Sequence, residues 1–264
     1  MQPSFPHKSF QILSPLSCLI LLIFTSLIAP TLSAQQLAEV DSTAKDNAMT
    51  TVPVRVVIIG DSTVCNYPED RPDRGWGQFF EEQFNDGSLQ VVNLAVGGRS
   101  TKTFITEGRW EKALNQKPDY ILIQFGHNDS HKPGKPESTN ASTDYKEYLH
   151  RYINESRENG AVPIMVTPMV RRTFNSKGKL YGNLQPYADA MKEVGIELNV
   201  PVIDLHASSM QLVKELGPDE STSLASKEGD RTHFNEKGAR AMLDLIMQEL
   251  PSKAPDLAAL IKTK

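Results

Sequence analysis

Five short runs rich in Val and Ile recur along the chain, at residues 54–59, 90–94, 120–125, 162–167 and 201–205. Each is bounded by Gly, Pro or Asn and is short enough to be a strand covered on both faces. Helical patterns fill the intervals. Tyr145, Tyr148, Leu149, Tyr152 and Ile153 form one stripe, with Ser142 or Thr143 as its cap, and Tyr187, Ala190, Met191, Val194 and Leu198 form another. Ala239, Met242, Leu243, Ile246, Met247 and Leu250 follow i, i+3, i+4, i+7, i+8, i+11 behind a candidate Asn235 cap. Strand and helix alternate throughout, which predicts a three-layer α/β/α sandwich around a five-stranded parallel sheet. Neither a repeat nor a second domain is visible. The loops at 130–141 and 171–183 are long and both follow strands. They should rise where the strands end, the side on which open α/β sheets bind ligands.

The chain divides unequally around this pattern. Residues 1–34 carry Lys8, an apolar stretch broken by Pro30, and TLSAQQ at their end. This is the layout of a secretory signal peptide with Ala34 as its last residue, and the stretch falls short of the ~20 apolar residues of a spanning helix. Residues 35–52 read as a polar linker, 53–251 as the folded domain and 252–264 as a C-terminal tail. Of the two cysteines, Cys18 lies in the signal segment, so a mature chain would keep Cys65 alone and form no internal disulfide. The formal charge of -4 at pH 7 gives no basis for nucleic-acid binding. No Cys/His cluster has zinc spacing. The expectation is a secreted or periplasmic monomer, free of the membrane after cleavage, with no metal and no cofactor.

The polar residues just past each strand carry the chemistry. The first run ends in Gly60-Asp61-Ser62, the second in Gly97-Gly98-Arg99, the third in Gly126-His127-Asn128-Asp129, and GDRTHFNEKG precedes the last helix. A serine hydroxyl is a poor nucleophile unless a base takes its proton. His233 can be that base, and Asp230, three residues earlier, can accept from its other ring nitrogen. The Ser62 and Gly98 backbone N–H groups and the Asn128 amide are candidate donors to a tetrahedral oxyanion. Each piece alone has a plainer reading as turn, helix entry or cap. All four at strand ends, in this order, argue for catalysis.

These blocks resemble the SGNH (GDSL-type) hydrolase family, in which Ser62, Gly98, Asn128 and His233 would be the naming residues and Asp230 would complete the triad. The likeness spans nearly all of residues 54–250. Within that family the stretches VVIIGDSTV, NLAVGGRS, QFGHNDS, VTPMVRRTFNSKGKL, NVPVIDLHA and GDRTHFNEKGA are most similar to the rhamnogalacturonan acetylesterases of carbohydrate esterase family 12. The resemblance implies a flavodoxin-like fold and removal of acetyl groups from a pectic polysaccharide. One departure is the absence of the disulfides carried by fungal members.

Arg99, Arg171 and Arg172 also follow strands on the presumed site side. Their guanidinium groups could bind galacturonate carboxylates in fork geometry, or could be solvated loop charge. Trp76 reads either as a sugar platform or as a core residue. His127, Asp129 and His131 alternate without a further ligand cluster. The polar loops favour a carbohydrate over a fatty-acyl substrate. The alternatives are a broad lipase, arylesterase or thioesterase, an esterase of another acetylated carbohydrate such as xylan, and a catalytically dead binding module.

Overall fold

The computed structural model describes residues 52–263; the expected signal segment and nearly all of the linker lie outside the described residues. Five strands, β1 (Val54–Gly60), β2 (Leu89–Asn93), β3 (Tyr120–Gln124), β4 (Val162–Val166) and β5 (Val202–Ile203), form one all-parallel sheet in the order β2-β1-β3-β4-β5. This is the flavodoxin-like order, and its direction reverses between β1 and β3, the place where such sheets open a ligand crevice.

Alternation along the strands explains why both faces are covered. Val56, Ile58, Leu122, Ile164, Val166 and Ile203 point to one side, and Val57, Ile59, Ile121, Ile123 and Met165 to the other. The second side is covered by α1 (Thr101–Thr106), α2 (Arg109–Leu114), α3 (Asp144–Glu158) and α4 (Gln185–Glu197). The first is covered by α5 (Leu205–Glu220), α6 (Glu236–Lys253) and α7 (Pro255–Ala258). The stripe expected on α6 is buried at Ala239, Met242, Leu243, Ile246 and Leu250, and the Asn235 side chain accepts from the Gly238 N–H as a cap. At α3 the cap position is Thr143, but its side chain makes no capping bond. The turn is closed instead by Asp144, whose Oδ1 accepts from the Asn140 N–H at 2.6 Å.

Two stretches differ from expectation. β5 stops at Ile203 because Asp204 turns its side chain to accept from the Ala207 N–H, which caps α5 where strand was expected. The segment from 252 onward is folded onto the domain through residue 262. Leu257 is fully buried, Ile261 bridges to Phe84, and the Lys262 N–H donates to the Gln83 carbonyl at 3.0 Å.

Leu257→Ala should therefore cost about 2–5 kcal/mol, the usual range for emptying a buried leucine site. Urea unfolding is the check: the midpoint should fall with an unchanged slope. A midpoint equal to wild type would return the segment to the status of a tail.

Candidate active site

The turn that presents Ser62 is forced by its neighbours. A Cβ at Gly60 would lie 2.7 Å from the Gln124 carbonyl oxygen, so only glycine lets the chain leave β1 beside β3. Asp61 Oδ1 then accepts from the Thr63 N–H at 2.9 Å and the Thr63 hydroxyl at 2.8 Å. The Tyr67 hydroxyl holds the Ser62 carbonyl at 2.8 Å.

The half-buried Ser62 side chain faces the loop before α6. Its Oγ lies 3.0 Å from His233 Nε2, and His233 Nδ1 lies 2.9 Å from Asp230 Oδ2. The other Asp230 oxygen accepts from the Thr232 and His233 N–H groups, both at 2.8 Å. Burial alone would raise the Asp230 pKa, but these backbone donors and the His233 ring outweigh it and hold the carboxyl below its usual value. An ionised carboxylate on Nδ1–H leaves Nε2 free to take a proton from Ser62.

Candidate donors for an oxyanion lie around Ser62. Gly97 passes so close to Ser62 that a Cβ there would be 3.5 Å from the Ser62 Cβ, and Gly98 has φ +81°, a left-handed conformation that favours glycine. Among the described residues, neither the Ser62 N–H nor the Gly98 N–H bonds to a protein acceptor. Asn128 donates one amide hydrogen to the Arg99 carbonyl at 2.9 Å, which orients the group and leaves its second hydrogen available.

Two expected substrate contacts are corrected. Trp76 is fully buried and cannot be a sugar platform. It anchors the nucleophile turn instead: Trp76 Nε1 donates to Gln124 Oε1 at 2.7 Å, Gln124 Nε2 to Thr63 Oγ1 at 2.8 Å, and Thr63 Oγ1 to Asp61. Arg172 is also fully buried; its Nη2 donates to the carbonyls of Asp230 at 3.1 Å and His233 at 2.7 Å. Burial pulls its pKa down to about 10, while the nearby Asp230 charge favours the cation, which therefore persists at neutral pH. Arg171 is half-buried, and both its Nη atoms already bond to protein groups. Arg99 stays partly exposed beside Gly98, with its Nε on Glu107 at 3.0 Å.

His127, Asp129 and His131 disperse in three directions, and no group of three metal-ligating side chains forms among the described residues. His131 pairs with Glu137 at 2.6 Å. His127 packs 3.3 Å from Asp61 beneath the serine turn. Burial would raise Asp61, but His127 and the Thr63 donors hold it below its usual value, and burial lowers His127 in turn. Cys65 packs in the core, and burial pushes its thiol pKa up.

Asp129, Gln124 and Thr63 are supporting residues that sequence reasoning missed; the signal was their polarity at the rim of apolar strands. Asp129 Oδ1 accepts from the Thr101 hydroxyl at 2.5 Å, the Thr139 hydroxyl at 3.0 Å and the Thr101 N–H at 3.2 Å, joining the Gly98 and Asn128 loops. Burial outweighs these donors and raises its pKa from 3.8 to about 7. A carboxyl that keeps its proton longer in the folded chain makes stability decline as pH rises from near 3.8 to about 7. Asp129→Asn should remove this part of the decline. Urea midpoints of the two proteins at pH 5 and pH 8 test it: the wild type should lose ground to the variant at the higher pH, and a constant difference would refute the raised value.

The geometry agrees with what similarity to known proteins shows. The model of the GDSL-like Lipase/Acylhydrolase family matches residues 58–241. Rhamnogalacturonan acetylesterase RhgT of Bacillus subtilis (strain 168) is 40% identical over 211 residues, covering 74% of this chain and 89% of that protein. A rhamnogalacturonan acetylesterase of Emericella nidulans is 24% identical over 217 residues, covering 73% of this chain and 83% of its own. In fold, the crystal structure of Axe2, an acetylxylan esterase from Geobacillus stearothermophilus, superposes with a TM-score of 0.60 at 20% identity, covering 75% of this chain and 95% of its own. With a serine set against a histidine at the end of β1 and a sheet of this order, the chain belongs to the GDSL-like lipase/acylhydrolase family and is a carboxylic ester hydrolase.

Proposed function

We propose that the chain is an exported serine esterase that removes acetyl groups from a rhamnogalacturonan-type pectic polysaccharide. The observation that carries the mechanism is the unbroken hydrogen-bonded line from Asp230 through His233 to Ser62, at 2.9 and 3.0 Å. Ser62 Oγ attacks the acetyl carbonyl carbon while His233 Nε2 takes its proton. The oxyanion so formed faces the Ser62 and Gly98 N–H groups and the Asn128 amide. His233 then returns the proton to the sugar oxygen, which leaves as a free hydroxyl and strands the acetyl group on Ser62. Water, deprotonated by the same ring, repeats the attack and releases acetate. Asp230 keeps the imidazole in the tautomer that both half-reactions need.

The substrate assignment draws on the names of the similar proteins and on the surroundings of the site. A cavity of about 650 Å³ opens between the loop after β3 and the start of α4, lined by Ser130, Ser138, Asn140, Asn183, Pro186 and Tyr187, and none of Ser62, Gly98, Asn128, Asp230 or His233 lines it. Arg99 is the guanidinium left to meet a uronate carboxylate, although it shares Glu107 with Arg109. The inward engagement of Arg171 and Arg172 weakens the case for an acidic substrate and favours a second reading, deacetylation of a neutral polysaccharide such as xylan.

Ser62→Ala should abolish acetate release with the fold intact, by up to about a millionfold where background permits its measurement. A folded variant with near wild-type turnover would end the triad assignment. On substrates, acetate release from acetylated rhamnogalacturonan should exceed that from acetylated xylan. Arg99→Gln should raise KM for the former and spare p-nitrophenyl acetate. Faster release from xylan, with KM untouched in the variant, would select the second reading.

A further inference from the structure

We propose that Arg171 and Arg172, consecutive residues past the end of β4, are a paired brace that positions the two halves of the reaction site. Arg171 holds the loop that carries Asn128, and Arg172 holds the loop that carries Asp230 and His233. The proposal rests on the Ser62–His233–Asp230 reading and concerns residues that touch neither substrate nor the reacting atoms.

Arg172 grips its loop from beneath. Its N–H donates to the Arg231 carbonyl at 2.9 Å, and its Nη2 donates to the carbonyls of Asp230 at 3.1 Å and His233 at 2.7 Å, the two ends of the turn. Its guanidinium carbon lies 4.3 Å from the centre of the Phe234 ring, so the residue after the base supplies the surface on which the brace rests. Inside the turn, Asp230 already collects the Thr232 and His233 N–H groups. Arg172 binds the Asp230 and His233 carbonyls, the second of which also accepts from the Ser226 N–H at 3.4 Å, and so ties the residues carrying the carboxylate and the imidazole to one side chain.

Arg171 points to the opposite loop. Its Nη2 donates to the His127 carbonyl at 2.9 Å, one residue before Asn128. Its Nη1 reaches Ser130 Oγ at 3.3 Å and Asn183 Oδ1 at 2.6 Å, and Asn183 Nδ2 donates back to the Ser130 carbonyl at 3.1 Å. The 127–130 loop is thereby pinned on both sides of Asn128. The planar fork of arginine reaches these separated acceptors at once; the single ammonium of lysine cannot. Because the two side chains leave adjacent backbone positions, the oxyanion half and the base half are referred to one point in the loop beyond β4. A displacement of about 1 Å in such groups costs on the order of a hundredfold in rate.

The test separates a brace from a substrate contact and from a merely structural residue. Arg171→Lys and Arg172→Lys should each lower kcat about tenfold to a hundredfold on p-nitrophenyl acetate as well as on the polysaccharide, with KM nearly unchanged. Arg172→Met should fall further than Arg172→Lys, which keeps one charged nitrogen with its donors. Coupling supplies the decisive readout: in an Asn128→Ala background the Arg171→Lys loss should shrink, whereas the Arg172→Lys loss should persist in full. If the Arg172 variants fail to fold, as a fully buried cation allows, the half-buried Arg171 and its coupling to Asn128 decide the matter. A raised KM on the polysaccharide with normal kcat on p-nitrophenyl acetate would make these arginines substrate contacts. Unchanged rates, or an Arg171→Lys loss that is equal in both backgrounds, would overturn the brace. Near wild-type turnover in Ser62→Ala would instead refute the underlying esterase mechanism, and is measured separately.

Discussion

A parallel sheet buried on both faces has no room for chemistry in its middle. Each strand of this sheet satisfies its backbone against a neighbour and sends alternate Val, Ile, Leu and Met side chains into two apolar layers. Polar groups can appear only where strands stop. In the order β2-β1-β3-β4-β5 the connection leaving β1 runs to one side and the connection leaving β3 to the other, so the ends of β1 and β3 border a crevice. Ser62 stands at one end and Asn128 at the other. The site is a consequence of how the sheet satisfies itself.

That arrangement has a cost: loops beyond the strand ends must be held without a sheet or helix of their own. Here they are held by buried polar side chains. Gln124 ties the serine turn to Trp76, Asp129 ties the Gly98 loop to the Asn128 loop, and the arginines past β4 tie the Asn128 loop and the Asp230 loop to the same point. Tyrosines on α3 and α4 join in through their hydroxyls: Tyr145 donates to the Phe125 carbonyl, Tyr152 to the Thr101 carbonyl, and Tyr187 to the carbonyls of Asp129 and Thr139. Such groups bury their rings in the apolar layer and place one donor where the backbone lacks a partner. The Gln124, Asp129 and tyrosine bonds resist deformation, because breaking one leaves an unpaired group in a low dielectric.

Burial also sorts the carboxylates around the serine. Asp230, with backbone donors on one oxygen and the imidazole on the other, is held ionised, as orientation of a base requires. Asp129, deeper and supported chiefly by hydroxyls, is pushed up to about 7. Two acidic side chains near one site thus serve different ends because their donors and depth differ.

Short continuous apolar runs and period-3.6 stripes determined the architecture from sequence alone, since strands covered on both faces and helices covered on one must advertise that burial in their order of apolar residues. The same patterns, with GDS, GG, GHND and DRTH at the ends of runs, made Ser62, Gly98, Asn128, Asp230 and His233 readable as one constellation. Boundaries set by a side chain's local choice were not readable: Asp204 could extend β5 or cap α5, and the packing beside Glu249, which accepts its N–H, selected the cap. The direction of long side chains was equally hidden. Arg171, Arg172 and Trp76 carry charge or ring enough to meet a sugar, and sequence spacing places them near the site. Only the tertiary structure decided that they face inward, because a side chain turns toward whichever unmatched carbonyls or amides the fold leaves within reach, and those carbonyls belong to loops distant in sequence.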